Sequence, residues 1–309
     1  MGAIICLLSR HHGSPAEFVI AADLGPISRG CDDSVMAANA PAVRAIDAGI
    51  KKLYHYDRFC PKYLTDMLAM RRIHFSNPQN FNDPWDCYPC LDATRAGEPE
   101  YRAKCIEVFR QQPLPNLTAS ELDFYERGLQ ASPKRFIQML QTEFREAIRS
   151  MVVERWRIYC LTQKKEMPLM WSHYANNHEG ICLEFDTSAP VFGNAFKVQY
   201  EDTLPTLDIL DITGEPSFRI LVTKARDWDY EQEYRILARE KRVDEPSLPP
   251  VPTTTNDFLP LTPGALTGII VGCRADFKAI EALVKKHAPD LPVQRAIQST
   301  DTYTLSVQC

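Results

Sequence analysis

Long apolar runs are missing from this sequence: none approaches the ~20 residues that cross a bilayer, which argues against a transmembrane segment. A surplus of basic residues is missing as well, since the 309-residue chain has a formal net charge of -5. Non-specific binding of nucleic acid depends on Lys and Arg that neutralise phosphates, so the overall charge gives no general pull toward nucleic acid. Residues 1–8 are apolar without a basic region before them, which argues against a secretory signal peptide.

Several familiar motifs are also missing. No GxGxxG follows a predicted strand, and neither a Walker-type phosphate loop nor a Gly-x-Ser-x-Gly turn is present. The ten cysteines are scattered along the chain, which favours reduced thiols in a cytoplasm over a disulfide framework. Cys87-Tyr-Pro-Cys90 is a lone CxxC, and zinc needs about four ligands, so we expect no bound metal.

The pattern of apolar residues predicts an α+β fold. Residues 1–45 show neither helical nor strand periodicity and are expected to form a disordered N-terminal extension, with Met36 as an alternative start of translation. Residues 46–309 are predicted to form a single α+β domain with a mixed or antiparallel split sheet. A helical insertion is predicted at about 98–156, where an apolar stripe indicates core packing.

The predicted elements outside the insertion alternate between strands and a few helices. A Pro- and Thr-rich loop is predicted at 243–263. The predicted helices are 63–70 and 277–287, and the predicted strands are 52–57, 72–76, 157–161, 180–185, 196–200, 233–238, 267–272, 293–297 and 303–307.

Three segments have more polar side chains than packing requires. The first is Leu53-Tyr-His-Tyr56, where a strand holds the imidazole of His55 beside Tyr56. Taken alone, this segment favours a core histidine bonded to backbone over a ligand-binding one.

The second segment is Met170-Trp-Ser-His-Tyr-Ala-Asn-Asn-His-Glu-Gly180, ahead of a strand. Its aromatic rings suit stacking on a planar ligand, and its Asn and His side chains suit fixing that ligand's orientation. The alternative is a capped helix end, with Trp171 in the core and Gly180 as the turn residue.

The third segment is Trp228-Asp-Tyr-Glu-Gln-Glu-Tyr-Arg235. In an extended chain Glu231, Glu233 and Arg235 point to one face. One carboxylate there could hold a sugar hydroxyl or stabilise an electron-poor centre, with the arginine orienting it. The alternative is an ordinary ion pair on an edge strand.

The second and third segments, together with Phe81-Asn-Asp-Pro84, resemble a bacterial family of unknown function, the domain of unknown function twenty-nine seventy-one. The likeness runs from about Leu53 to about Cys273, and the family brings no settled activity with it.

The chain also resembles the ADP-ribosyltransferase fold, through an order of His, then Tyr or Ser, then Glu-x-Glu. That resemblance implies an NAD-dependent transferase, acting as a bacterial defence or toxin-type effector. It implies that His55 holds ribose hydroxyls and that Tyr174, or Ser172, stacks on nicotinamide. Glu233 would stabilise the oxocarbenium-like state and Glu231 would activate the acceptor. The expected NAD-binding set is completed by Tyr56, Trp171, His173 and Arg235.

Two other classes stay open. A non-catalytic module that senses a nucleotide or binds a protein would use the same aromatic and amide side chains. A nuclease would use His55, His173 and His178 with carboxylates, of which Asp83 and Asp86 are the close pair near a histidine strand.

Overall fold

The computed structural model describes residues 43–111, 119–208, 210, 218–241 and 251–308. The predicted N-terminal extension, apart from 43–45, and Met36 lie outside these residues. None of the helices within them is long and apolar enough to cross a membrane. The seven cysteines within them are free thiols, including Cys87 and Cys90.

The elements are numbered in chain order. The α-helices are α1 Pro61–Met70, α2 Pro99–Gln111, α3 Ala119–Ala131, α4 Pro133–Arg155, α5 Pro168–Tyr174, α6 Pro190–Gly193, α7 Phe218–Leu221 and α8 Phe277–His287. The strands are β1 Lys52–Asp57, β2 Arg72–His74, β3 Cys90–Leu91, β4 Trp156–Thr162, β5 Ile181–Asp186, β6 Phe196–Lys197, β7 Gln199–Glu201, β8 Thr206–Leu207, β9 Thr223–Ala225, β10 Glu233–Glu240, β11 Thr253–Thr254, β12 Phe258–Pro260, β13 Leu266–Val271, β14 Val293–Gln298 and β15 Leu305–Gln308. Short 3₁₀ helices cover Pro78–Asn80, Thr94–Gly97 and Arg226–Glu231.

The chain divides into two compact units. The first comprises, among the described residues, 89–146 and 206–210 with the gaps noted above. Within it the Gln141 side chain bonds both backbone groups of Leu91, and the Tyr101 hydroxyl donates to Asp208 Oδ1 at 2.6 Å. The predicted helical insertion overlaps this unit, and its three helices α2, α3 and α4 are observed.

The second unit comprises 43–88, 147–205 and 218–308 within the described ranges, and it contains the main sheet. Eight strands follow the order β11-β10-β4-β1-β5-β13-β14-β15, and β6 pairs with β10. The β10–β11 and β13–β14 pairs are parallel, and the other pairs of this sheet are antiparallel. The predicted α+β class with a mixed sheet is confirmed.

Two hydrophobic clusters cover the two faces of this sheet. Alternation along the strands places Leu53 of β1 and Tyr159 of β4 in one cluster, with β2, α1 and α8. Tyr54 and Tyr56 of β1 belong to the other cluster, with Trp171 of α5. A side chain's face therefore follows from its parity along the strand.

The sheet opens between β1 and β4. These strands pair at one position, Tyr54 opposite Thr162, although both continue beyond it. The His55 imidazole lies in the opening and its Nδ1 is 2.7 Å from the carbonyl oxygen of Cys160. We call this opening, bordered by β1 residues 55–57 and β4 residues 159–161, the seam.

Candidate functional site

A cavity of about 970 Å³ lies at the seam, entirely within the second unit. It is lined from both faces of the sheet. The side chains from the face of Leu53 include His55, His74, Tyr159 and Phe258, and those from the other side include Tyr174, Lys224, Glu231, Glu233 and Arg235.

Glu233 and Arg235 reach the cavity from the first residues of β10. Glu233 is opposite Thr162, and Thr162 is opposite Tyr54, so these three side chains share a face. His55 follows Tyr54 and points to the other face. His55 and Glu233 are thus both among the residues that line the cavity, although their side chains lie on opposite faces of the sheet.

Glu231 reaches the same place by a different route from the one predicted. It is not in the strand but ends the 3₁₀ helix Arg226–Glu231. Gln232 follows with a left-handed φ of 48°, so the chain turns before β10 begins. The prediction that an extended chain carries both glutamates is wrong, because this turn interrupts it.

A buried group of ion pairs forms the floor of the cavity on this side. We call it the charged cluster; its members are Asp86, Lys224, Glu231, Glu233 and Arg235.

Arg235 is fully buried in the charged cluster and is paired on two sides. Its Nε donates to Glu233 Oε1 at 2.8 Å and its Nη2 donates to Glu233 Oε2 at 3.1 Å. Nη1 and Nη2 also donate to the two carboxylate oxygens of Asp86, at 2.8 and 2.6 Å. A buried arginine requires such partners, since an unpaired charge is costly to desolvate.

Lys224 connects the two glutamates. Its Nζ lies 2.6 Å from Glu231 Oε2 and 3.3 Å from Glu233 Oε2. Burial alone would lower the pKa of this lysine, but the charges of Glu233 and Glu231 outweigh burial and raise it. Lys224 is therefore charged in the folded protein.

The two glutamates differ in their electrostatic surroundings. Burial would raise the pKa of Glu233, but the charges of Arg235 and Lys224 outweigh burial and lower it to about 2. For Glu231 burial is the larger effect and raises the pKa in spite of Lys224. Pairs of carboxyl groups with pKa values moved apart are a feature of acid–base sites.

Tyr174 is the last residue of α5 and contacts the charged cluster through its hydroxyl. The hydroxyl donates to Glu231 Oε1 at 2.6 Å. Helix α5 ends here because Asn176, Asn177 and His178 all have positive φ. Asn tolerates that conformation better than most residues, so the Asn pair stops the helix.

Gly180 completes the reversal into β5. A Cβ at Gly180 would lie 2.3 Å from the carbonyl oxygen of Asp57, which leaves no space for a larger residue. The part of the second sequence segment that contains the Asn pair and Gly180 is thereby explained as a turn that places Tyr174 at the cavity.

The His55 ring has one nitrogen committed and one free for a ligand. A carbonyl oxygen can only accept, so Nδ1–H donates to Cys160 O and the neutral ring keeps its lone pair on Nε2. Nε2 has no partner among the described residues, and the ring stacks on Tyr159 with centroids 4.2 Å apart. Burial lowers the pKa of His55, which favours the neutral ring at pH 7.

The other predicted ligand residues are distributed unevenly. Tyr56 and the exposed His173 line the cavity. Trp171 is fully buried in the core, where its Nε1–H donates to Lys165 O at 2.9 Å, and neither Trp171 nor Ser172 is among the cavity-lining residues of the described chain. Trp171 is therefore a core residue, as in the capped-helix alternative for this segment.

Sequence reasoning missed Lys224 and gave Asp86 a place only in the nuclease alternative. A signal for Lys224 was present, because it follows the apolar run Ile220-Leu-Val222, where a lysine is buried only with a partner. No group of three or more His, Cys, Asp or Glu side chains suited to a metal ion occurs in the part of the chain that the structure describes.

Fold and site together define an α+β protein with a ligand-sized cavity at a seam in its sheet and buried ion pairs on the cavity floor. Residues 170–236 match the model of a family described as protein of unknown function (DUF2971), which confirms the family resemblance. The match contains the second and third sequence segments, whereas Phe81–Pro84 lies outside it. No curated protein and no solved structure matches the chain.

Proposed function

We propose that this protein binds NAD⁺ in the seam cavity, cleaves its nicotinamide–ribose bond and transfers ADP-ribose to an acceptor. The observation that carries the proposal is the charge of the cavity floor. The three carboxylates of the charged cluster face only two cations, so one negative charge is in excess. A buried excess of negative charge favours a ligand that carries or develops positive charge at that place.

Cleavage of NAD⁺ develops positive charge in this way. When the bond between ribose C1′ and the nicotinamide nitrogen breaks, its electron pair leaves with nicotinamide and positive charge develops on the ribose. Glu233, ionised because its pKa lies at about 2, would stabilise that charge more in the transition state than in the ground state.

The second half of the reaction needs a base. The acceptor forms a new bond to C1′ and loses a proton. Glu231 would take that proton, since its pKa is raised by burial and its Oε1 lies beside the Tyr174 hydroxyl.

Two further groups suit the rest of the dinucleotide. Nε2 of His55 can accept a hydrogen bond from a ribose hydroxyl. Arg58 lines the cavity, is exposed, and makes no ion pair within the described residues, so it is available to phosphate. A volume of about 970 Å³ lies at the upper end of the range for ligand pockets, which suits a dinucleotide.

The test combines NAD⁺ binding by calorimetry with nicotinamide release and incorporation of labelled ADP-ribose into protein and nucleic acid. Glu233→Gln preserves shape and removes the charge, so turnover should fall by roughly a hundredfold or more. Tyr174→Ala should chiefly weaken binding. Glu184→Gln is the control, because Glu184 is partly buried and ion-paired with Lys52, yet does not line the cavity.

A binding module without catalysis is the second candidate, and the saturation of Glu233 favours it. Both carboxylate oxygens of Glu233 already accept hydrogen bonds from Arg235. The backbone N–H of Glu233 donates to the Tyr200 hydroxyl at 2.8 Å. NAD⁺ binding without nicotinamide release would select this candidate. Absence of both binding at millimolar NAD⁺ and nicotinamide release would reject the NAD⁺ proposal.

A further inference from the structure

Lys224 is buried at a place where it contacts both glutamates and little else that is polar. It is 7% exposed, and its Nζ also lies 4.8 Å from the centre of the Trp228 ring. The two carboxylates therefore depend on the same ammonium group.

The dependence is unequal. Glu233 would keep two bonds from Arg235 if the ammonium were removed. Glu231 has no other cation within ion-pair distance among the described residues; its second partner, Tyr174, is neutral. Glu231 is only 2% exposed, so bulk water would not solvate its carboxylate in place of the ammonium group.

We propose that Lys224 is a positioning residue that keeps Glu231 ionised and fixed in the cavity floor, whereas Glu233 would retain its two hydrogen bonds from Arg235 if Lys224 were replaced. Without the ammonium, a buried carboxylate takes up a proton instead of remaining charged. A protonated Glu231 could not accept a proton from the acceptor. That kinetic consequence rests on the proposed function, whereas the protonation itself does not.

Other charged or titratable groups contribute to the same balance. The charge of Arg235 lowers the pKa of Lys224 and that of Asp86 raises it, whereas the charge of Glu233 raises the pKa of Glu231 and the Tyr174 hydroxyl lowers it. The groups that face Lys224 or the two glutamates are Asp86, Cys160, Tyr174, Tyr200, Tyr230 and Arg235.

The test reads protonation directly and uses the full chain without ligand. Infrared spectra at pH 7 report the carbonyl band of protonated carboxylic acids. Lys224→Gln should gain such a band relative to wild type, and Lys224→Arg should not, because it keeps the charge. The band should disappear in the double variant Lys224→Gln, Glu231→Gln.

Two spectral outcomes would overturn the proposal: no new band in Lys224→Gln, or a band that persists in the double variant and so belongs to another carboxyl group. Circular dichroism checks the fold of each variant. If Lys224→Gln does not fold, Lys224→Met, which also lacks charge but keeps the alkyl chain, takes its place.

The kinetic readout separates this proposal from the NAD⁺ proposal. The acid limb of the pH profile of nicotinamide release should move up by at least about one pH unit in Lys224→Gln, a loss of about tenfold on that limb, and Lys224→Arg should restore it. An unmoved limb would count against Lys224. If the wild type releases no nicotinamide, the proposed function fails, and the infrared result still decides the role of Lys224.

Discussion

Arg235 and Asp86 form a two-point ion pair that joins the start of β10 to the loop after β2, with N–O distances of 2.8 and 2.6 Å. Both side chains are almost completely inaccessible to solvent. The same guanidinium also bonds Glu233, so the loop and the candidate catalytic carboxylate are held by one residue.

Replacing Asp86 by Ala should therefore strongly destabilise the folded protein. The substitution removes one of the two carboxylates that pair with the buried guanidinium, which typically lowers the unfolding free energy by about 3–5 kcal/mol. Urea unfolding measures the loss. Asp202→Ala is the control, because its pair with Arg226 is exposed to solvent and should contribute little to stability. Equal losses in the two variants would contradict the importance assigned to burial.

Asp83 is expected to stabilise the same loop and not to contact ligand. The buried carboxylate accepts from the backbone N–H of Trp85 at 2.9 Å, which closes a turn. Asp83→Ala should lower the unfolding free energy by about 1 kcal/mol or more. Asp92→Ala is a useful comparison, because Asp92 makes a similar turn to Thr94 in a more exposed place. Full stability with complete loss of NAD⁺ binding would instead place Asp83 in the ligand site.

His55 offers a pair of substitutions that separate its two nitrogens. In His55→Asn the amide can donate to Cys160 O in place of Nδ1, whereas His55→Leu cannot. We expect the Asn variant to be more stable than the Leu variant by about 1 kcal/mol. Both variants lack Nε2 and should bind NAD⁺ about tenfold more weakly than wild type by calorimetry. Unchanged affinity in both would show that Nε2 does not meet the ligand.

The low pKa of Glu233 predicts a specific acid sensitivity. The folded-state pKa of about 2 lies below the ordinary value of 4.5, so the folded protein binds the proton less readily than the unfolded chain. This contributes stability that is present above pH 4.5 and is lost as the pH falls toward 2, on the order of 3 kcal/mol. In Glu233→Gln the unfolding free energy should fall less steeply over that interval. Parallel curves for variant and wild type would disprove the assignment.

Periodicity predicted much of the fold because the apolar residues of each element face one core. Helix α8 was predicted at its observed bounds: Asp276 caps its first turn, and Ile280 and Val284 lie one turn apart on its buried face. Strand β10 begins at the predicted residue, and its inward Tyr234 and Ile236 alternate with Glu233 and Arg235.

Features that depend on distant contacts were not predictable in this way. The strands Thr253–Thr254 and Phe258–Pro260 lie in what was predicted as a loop, since each is only two or three residues long and exists by pairing with β10 or β2. The burial of Lys224 depends on two glutamates brought back by the turn at Gln232. The apolar residues before Lys224 indicate that its side chain is buried, but local sequence identifies neither its two partners nor the strands with which the two short strands pair.

The seam lies between two parts of the main sheet, one built on β10 and β4 and the other on β1, β5 and β13. Across the boundary the two strands pair at Tyr54 and Thr162, and two side chains of β1 add cross-links: His55 Nδ1 bonds Cys160 O and the Tyr56 hydroxyl bonds Lys164 O. The width of the seam therefore depends partly on side chains, which a substitution can shorten or lengthen, whereas a width set by backbone pairing alone could not be changed in that way. A substitution at residue 55 would therefore change the width of the seam.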